Sequence, residues 1–236
     1  MTDICKVFMG IDKSDFHDAF SKFKRDIILS VLNNDVQYYQ YLNKDNLLSD
    51  DVFKTGIFSR CPDNVKEKII KIINGGNEFR VSVLTMNLIH YELYIVICND
   101  KPIVTPDGKE CDAYSMTAKY KIDEEADDFI TQFMFLSNKS IGYKNENRYH
   151  IIVHEIVHLV LGYLREIKNI DGDTFELIDK LGCEEFLADF LPFYMVEGMD
   201  FVNNFLLYGK KWFKEDIFKN YKEYIKQLIP YFNMEN

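Results

Sequence analysis

Histidine is scarce in this chain, with five in 236 residues and none after His158. Basic residues are also short, 28 Lys plus Arg against 38 Asp plus Glu, giving a formal charge of -10. Phosphate contact needs a positive surface, so a nucleic-acid binder is not expected. The five cysteines (Cys5, Cys61, Cys98, Cys111 and Cys183) are odd in number and form no CxxC pair. That excludes a disulfide framework and a zinc knuckle and points to free thiols. No long apolar run exists: Val81 to Cys98 is broken by Asn87, His90 and Glu92. A membrane span is therefore not expected. The N-terminal stretch MTDICKVFMGIDKSDF lacks the basic start and apolar core of a signal peptide, which points to the cytoplasm. Internal repeats and low-complexity linkers are absent too.

What is present reads as an ordinary globular chain, 47% apolar and 28% charged. Phe16, Phe20, Phe23, Ile27, Ile28 and Val31 recur at helical spacing, which predicts a helix from Ser14 to about Leu42. A second helix is predicted over Asp63 to Ile73, closed by Asn74-Gly75-Gly76. Strands are expected at Glu78 to Met86, Tyr91 to Cys98, Ala113 to Ile122 and Phe129 to Leu136, with a turn at Pro106-Asp107-Gly108. The acidic run Asp123 to Asp128 lacks calcium-ligand spacing and reads as a solvated loop.

Past Leu136 the pattern turns helical. Asn145 or Asn147 can cap a helix running through RYHIIVHEIVHLVL to about Ile167. Asp173 and Glu176 resemble a capping box for the next helix, interrupted near Gly182 and ending about Phe190, before Pro192. A last amphipathic helix carries Trp212, Ile217, Tyr221, Tyr224, Ile225 and Leu228, a stripe that suits core or docking surface.

The chemistry sits in His154-Glu155-Ile156-Val157-His158, an HExxH motif. Residues four apart share a helix face, so both imidazoles can reach one metal ion. Glu155 lies about 100° round from His154, able to meet a metal-activated water without ligating the metal. The other residues of the segment are almost uniformly apolar, and two His and a Glu buried there need partners. A chance HExxH at this histidine count is expected in fewer than about one chain in a hundred. A di-iron site needs a second ExxH, and the residues three before His17, His90 and His150 are Ser14, Asn87 and Asn147.

A catalytic zinc takes three protein ligands and one open position. The third-His pattern HExxHxxGxxH fails, since Leu161 and Leu164 stand at the Gly and His positions. A carboxylate is favoured over Cys183 or His150; three consecutive helical turns would be an awkward ligand set, so His150 reads as a cleft residue. The carboxylates downstream include Asp171, Asp173, Glu176, Asp179, Glu184, Glu185, Asp189, Glu197 and Asp200. Glu185-Phe-Leu-Ala-Asp189 places two of them one turn apart in an apolar stretch. Glu185 is the expected third ligand, with Glu184 beside it as the alternative. Asp189 is expected to accept the free ring N–H of a ligand histidine.

HEIVH followed by EFLAD resembles the zincin metallopeptidases of the gluzincin branch. NRYHIIVHEIVHLVLG is similar to the ImmA/IrrE-type peptidases, and CEEFLADF to lethal-factor-like catalytic domains. The resemblance covers roughly Phe129 to Pro192. Pro192 follows Glu185 sooner than the ImmA/IrrE pattern has it, and the tyrosine that precedes the Glu in the lethal-factor-like site is missing. The resemblance implies a zincin-like α+β fold: N-terminal helices, a small mostly antiparallel sheet, then the active-site helix and C-terminal helices. One domain, 1–236, is expected, helical over residues 1–75 and carrying the sheet and the site over residues 76–236. It further implies a zinc-dependent endopeptidase whose Zn2+, held by His154, His158 and Glu185, activates the attacking water, with Glu155 as general base. The substrate would be a peptide or protein, paired in extended form with an edge strand, for which Phe129 to Leu136 is the expected segment. Tyr163, Tyr194, Tyr208, His150 and His90 are candidates for stabilising the oxyanion. The alternative is a catalytically silent module that keeps the scaffold for regulation or protein interaction.

Overall fold

The computed structural model describes residues 2–32, 40–43, 61–84, 91–121, 127–142, 147–166 and 172–235. The fold is mixed α/β with a small mixed sheet. Two compact units are present: residues 21–159 form one, and residues 1–20 with 160–236 the other.

The first of these is built on a five-stranded sheet of order β1-β2-β3-β7-β6. Its strands are β1 (Gln40–Asn43), β2 (Glu78–Leu84), β3 (Tyr91–Cys98), β6 (Ala113–Lys121) and β7 (Asp128–Ser137). A two-stranded ribbon, β4 (Ile103–Val104) with β5 (Glu110–Cys111), turns at Gly108, whose φ of 86° suits glycine. Pairing is antiparallel except for β3 with β7. β3 is buried at all but Glu92, and β7 beyond Asp128 throughout. Strands covered on both faces lose the alternation of half-exposed ones. Phe133, Phe135, Tyr94, Val96, Phe79 and Val81 form one core face, against Val65, Ile69 and Ile72 of helix α3 (Asp63–Ile72). Asn74 and Gly75 then turn left-handed, as the closing signal requires. On β7 the short helix α4 (Asn138–Ile141) follows, with Ser137 accepting the Ser140 N–H as its cap.

Three expectations change here. The first long helix, α2 (Lys13–Leu32), stops at Leu32, and residues 40–42 lie in strand β1 instead. Tyr41 and Leu42 gain ladder partners on β2, which local helix propensity does not foresee. An N-terminal helix, α1 (Asp3–Gly10), was not expected; its buried Ile4, Val7 and Phe8 need a tertiary partner that a short segment does not announce. Most important, residues 129–136 are internal, paired on both sides, so they cannot be the docking edge. The outer strand on that side is β6. Within the acidic run, Asp128 opens β7; residues 123–126 lie outside the described residues.

The second unit is helical and aromatic. Its helices are α1, the start of α2, the end of α5 (Arg148–Glu166), α6 (Gly172–Leu181), α7 (Glu184–Glu197), α8 (Met199–Tyr208) and α9 (Glu215–Glu235). Phe190 lies at its centre, in ring contact with Phe8, Tyr194, Phe201, Phe205 and Phe232. Residues 186–192 of α7 are buried on every side, so Pro192 sits inside the helix rather than after it. An internal proline costs about 3 kcal/mol in a bare helix; burial among these rings offsets it here. No helix among the described residues is long and apolar enough to cross a membrane.

Candidate metal centre

Helix α5 begins with the Ile151 N–H bonded to the Asn147 carbonyl, matching the expected start. Two sheet side chains grip its backbone. Gln132, fully buried on β7, donates from Nε2 to the Leu159 carbonyl (2.9 Å) and to Thr117 Oγ1 (2.8 Å). Its Oε1 accepts from the Tyr91 hydroxyl. Ser115 Oγ on β6 donates to the Glu155 carbonyl at 3.3 Å. Leaving these buried groups unpaired would cost roughly 1–3 kcal/mol each, so the turns carrying Glu155 and His158 are anchored to the sheet.

On that anchored face the two motif histidines converge. Their Nε2 atoms are 3.1 Å apart and their rings are 4.9 Å apart between centroids, inclined at 66°. Two imidazole nitrogens on one tetrahedral zinc stand about 3.3 Å apart, from bonds of about 2.05 Å. The pair therefore has the spacing of two ligands of one ion. One ligand atom each from His154, His158 and Glu185 lie within 4.8 Å of one another, close enough to hold a metal ion. No other trio of His, Cys, Asp or Glu among the described residues is so placed. Both histidines are half-buried and Glu185 is exposed. Two neutral imidazoles and one carboxylate form a donor set suited to a borderline divalent cation.

Glu185 owes its place to a helix break. The Gly182 N–H bonds to Asp179 O and the Cys183 N–H to Ile178 O, closing α6 with a Schellman turn. Gly182 takes the left-handed φ of 58° that this turn demands. Helix α7 restarts at once, so Glu184 and Glu185 occupy its first turn, where the helix dipole favours carboxylates. Asp173 falls inside the first turn of α6 rather than ahead of it.

Glu155 is buried. Its charge reaches Cys111, whose thiol is pushed up to about 11, chiefly by burial and then by this carboxylate. Asp189 is buried as well, and its Oδ2 accepts the Tyr221 hydroxyl at 2.9 Å. Burial, followed by the Asp189 charge, holds the Tyr221 phenol well above its ordinary range, so this O–H stays a donor. Neither Tyr221 nor Gln132 stood out as a functional residue in the sequence. The signal for Gln132 was a polar pair, Thr131 and Gln132, inside the otherwise apolar run Phe129 to Leu136; Tyr221 had none beyond its place in an aromatic stripe.

The remaining candidates fall outside the trio. His150 is exposed, and Cys183 is buried with its thiol pushed up to about 12 by burial. Tyr163 is buried, Tyr194 half-buried and Tyr208 exposed, while His90 lies outside the described residues. Compared with known proteins, the chain matches no family model, no curated protein and no solved structure.

Proposed function

We propose that the chain is a zinc-dependent metallopeptidase of the endopeptidase type, with His154, His158 and Glu185 as metal ligands and Glu155 as general base. The observation that supports it is the convergence of the HExxH imidazoles and Glu185, with Glu155 buried on the same anchored helix. A purely structural zinc site is closed by a fourth ligand and has no need of such a carboxylate.

When bound, zinc supplies Lewis acidity, polarising a carbonyl and bringing a water within reach of deprotonation near neutral pH. A carboxylate oxygen of Glu155 takes the proton of the attacking water and returns it to the leaving amide nitrogen. Ser115 and Gln132 hold the helix that aims this carboxylate. Asp189 steadies one ligand imidazole by accepting its ring N–H; the Tyr221 hydroxyl on Oδ2 fixes that carboxylate. Strand β6, paired only with β7 among the described strands, offers the edge on which an extended peptide would lie.

The ligand assignment is checked by zinc titration of metal-stripped protein. Glu185→Ala is expected to weaken zinc binding at least about tenfold, and Glu184→Ala by less than about twofold. The reverse order would move the third ligand by one residue. Cleavage of a peptide library should stop with a chelator and return with zinc. Stoichiometric zinc with no chelator-sensitive cleavage would leave only the silent regulatory module.

A further inference from the structure

We propose that the corner joining α8 to α9, residues Leu207–Lys214, docks the protein on an anionic lipid surface. The stretch reads LYGKKWFK, three lysines with no acid in a chain of formal charge -10. The sequence pattern places Trp212 in the last helix, but it precedes that helix, directly after a 3-10 turn over Gly209–Lys211. Gly209 carbonyl accepts both the Trp212 and Phe213 N–H groups at 2.9 Å. A Cβ on Gly209 would stand 2.5 Å from the Phe218 ring, so only glycine lets the turn pack this tightly.

The turn sorts its side chains into two sets. Phe205 and Phe213 face inward: they contact each other, and each contacts Tyr221. Leu207, Tyr208 and Trp212 are exposed by 64%, 45% and 52%, the Trp212 ring resting edge-on against Phe205 with its other side open. Lys210, Lys211 and Lys214 are exposed among them, and the Lys211 ammonium lies 5.3 Å from the centre of the Tyr208 ring. None of the three forms an ion pair with a described residue. Single exposed apolar residues need no explanation, but three within six residues do.

Charge and area select the occupant. Leucine, tyrosine and tryptophan interleaved with lysine suit a membrane interface, where aromatic rings sit at headgroup level and ammonium groups meet lipid phosphates and carboxylates. The exposed surface of these three side chains amounts to roughly 300 Å², below the ~450 Å² of apolar area within the ~800 Å² per partner of a stable protein interface. A second copy of the chain or another protein would need a broader patch. A fluid lipid surface needs only the corner. Each lysine near an anionic membrane is worth about fivefold in affinity, so three supply roughly a hundredfold. This surface is independent of the metal trio and stands whether or not the chain is a peptidase.

Trp212 is the chain's only tryptophan, so its fluorescence reports this corner alone. The full chain is titrated with phosphatidylcholine vesicles with and without about 30% phosphatidylserine. The expected result is a blue shift with the anionic vesicles only, reversed by about 0.5 M salt. Joint Lys210→Glu, Lys211→Glu and Lys214→Glu substitution should lower the apparent affinity at least a hundredfold, and Leu207→Ser several-fold, with circular dichroism unchanged. No shift, an equal shift with neutral vesicles, or a shift that follows protein concentration without vesicles would overturn the proposal; the last would assign the corner to a second copy. If the triple variant loses its fold by circular dichroism, Leu207→Ser decides, and unchanged binding there overturns it too.

Discussion

Replacing His154 by alanine should lower zinc affinity by about a hundredfold to a thousandfold, and His158→Ala by as much. Four-ligand zinc sites bind with about 10–16 kcal/mol, or roughly 2.5–4 kcal/mol per ligand. The 3.1 Å approach of the two Nε2 atoms means that removing either imidazole breaks the preformed pair and leaves two of the three ligands. Both side chains are half-buried, so truncation opens little cavity and the helix should persist. His150→Ala is the control: that side chain is exposed, four residues before His154, and its loss should leave affinity within about twofold. Competition against a fluorescent zinc chelator measures all three. Undiminished affinity in His154→Ala would show that the metal, if any, binds elsewhere.

Glu155→Gln is the second large effect, and it should separate binding from catalysis. Gln preserves the shape and one acceptor oxygen, puts an NH2 donor in place of the other, and cannot take up a proton from water at neutral pH. Peptide cleavage should fall by about 10²–10⁴-fold, the usual contribution of a general base. Zinc affinity should stay within a few-fold, because Glu155 is not among the three convergent ligands. The Glu155 backbone carbonyl keeps its bond from Ser115 in the variant, so the helix stays in register. Cleavage at the native rate in Glu155→Gln would remove the residue from the reaction and the peptidase reading with it.

The sequence reveals the local devices and conceals the tertiary ones. Asn74-Gly75 and Gly108 are turn chemistry that works through their own φ, and the structure has them where the residues stand. Strand β3 spans Tyr91–Cys98 as its β-branched and aromatic run suggests. The HExxH spacing is a property of one helix, so the approach of His154 to His158 could be foreseen. The edge strand could not. Phe129 to Leu136 and Ala113 to Ile122 both read as strands, and only the pairing order makes one internal and the other terminal. The same limit hid the roles of Gln132 and Tyr221, whose partners lie 27 and 32 residues away in sequence. Pro192 misled because a proline usually ends a helix, whereas the aromatic packing around α7 holds this one inside. Trp212 misled because helical spacing continues across a 3-10 turn without announcing the break.

The metal trio is tested most directly by zinc K-edge X-ray absorption on the zinc-loaded chain. The expected spectrum has two imidazoles with oxygen donors at about 2.0–2.2 Å, and no sulfur. A sulfur scatterer near about 2.3 Å would bring a cysteine into the coordination sphere and contradict Glu185 as the third ligand.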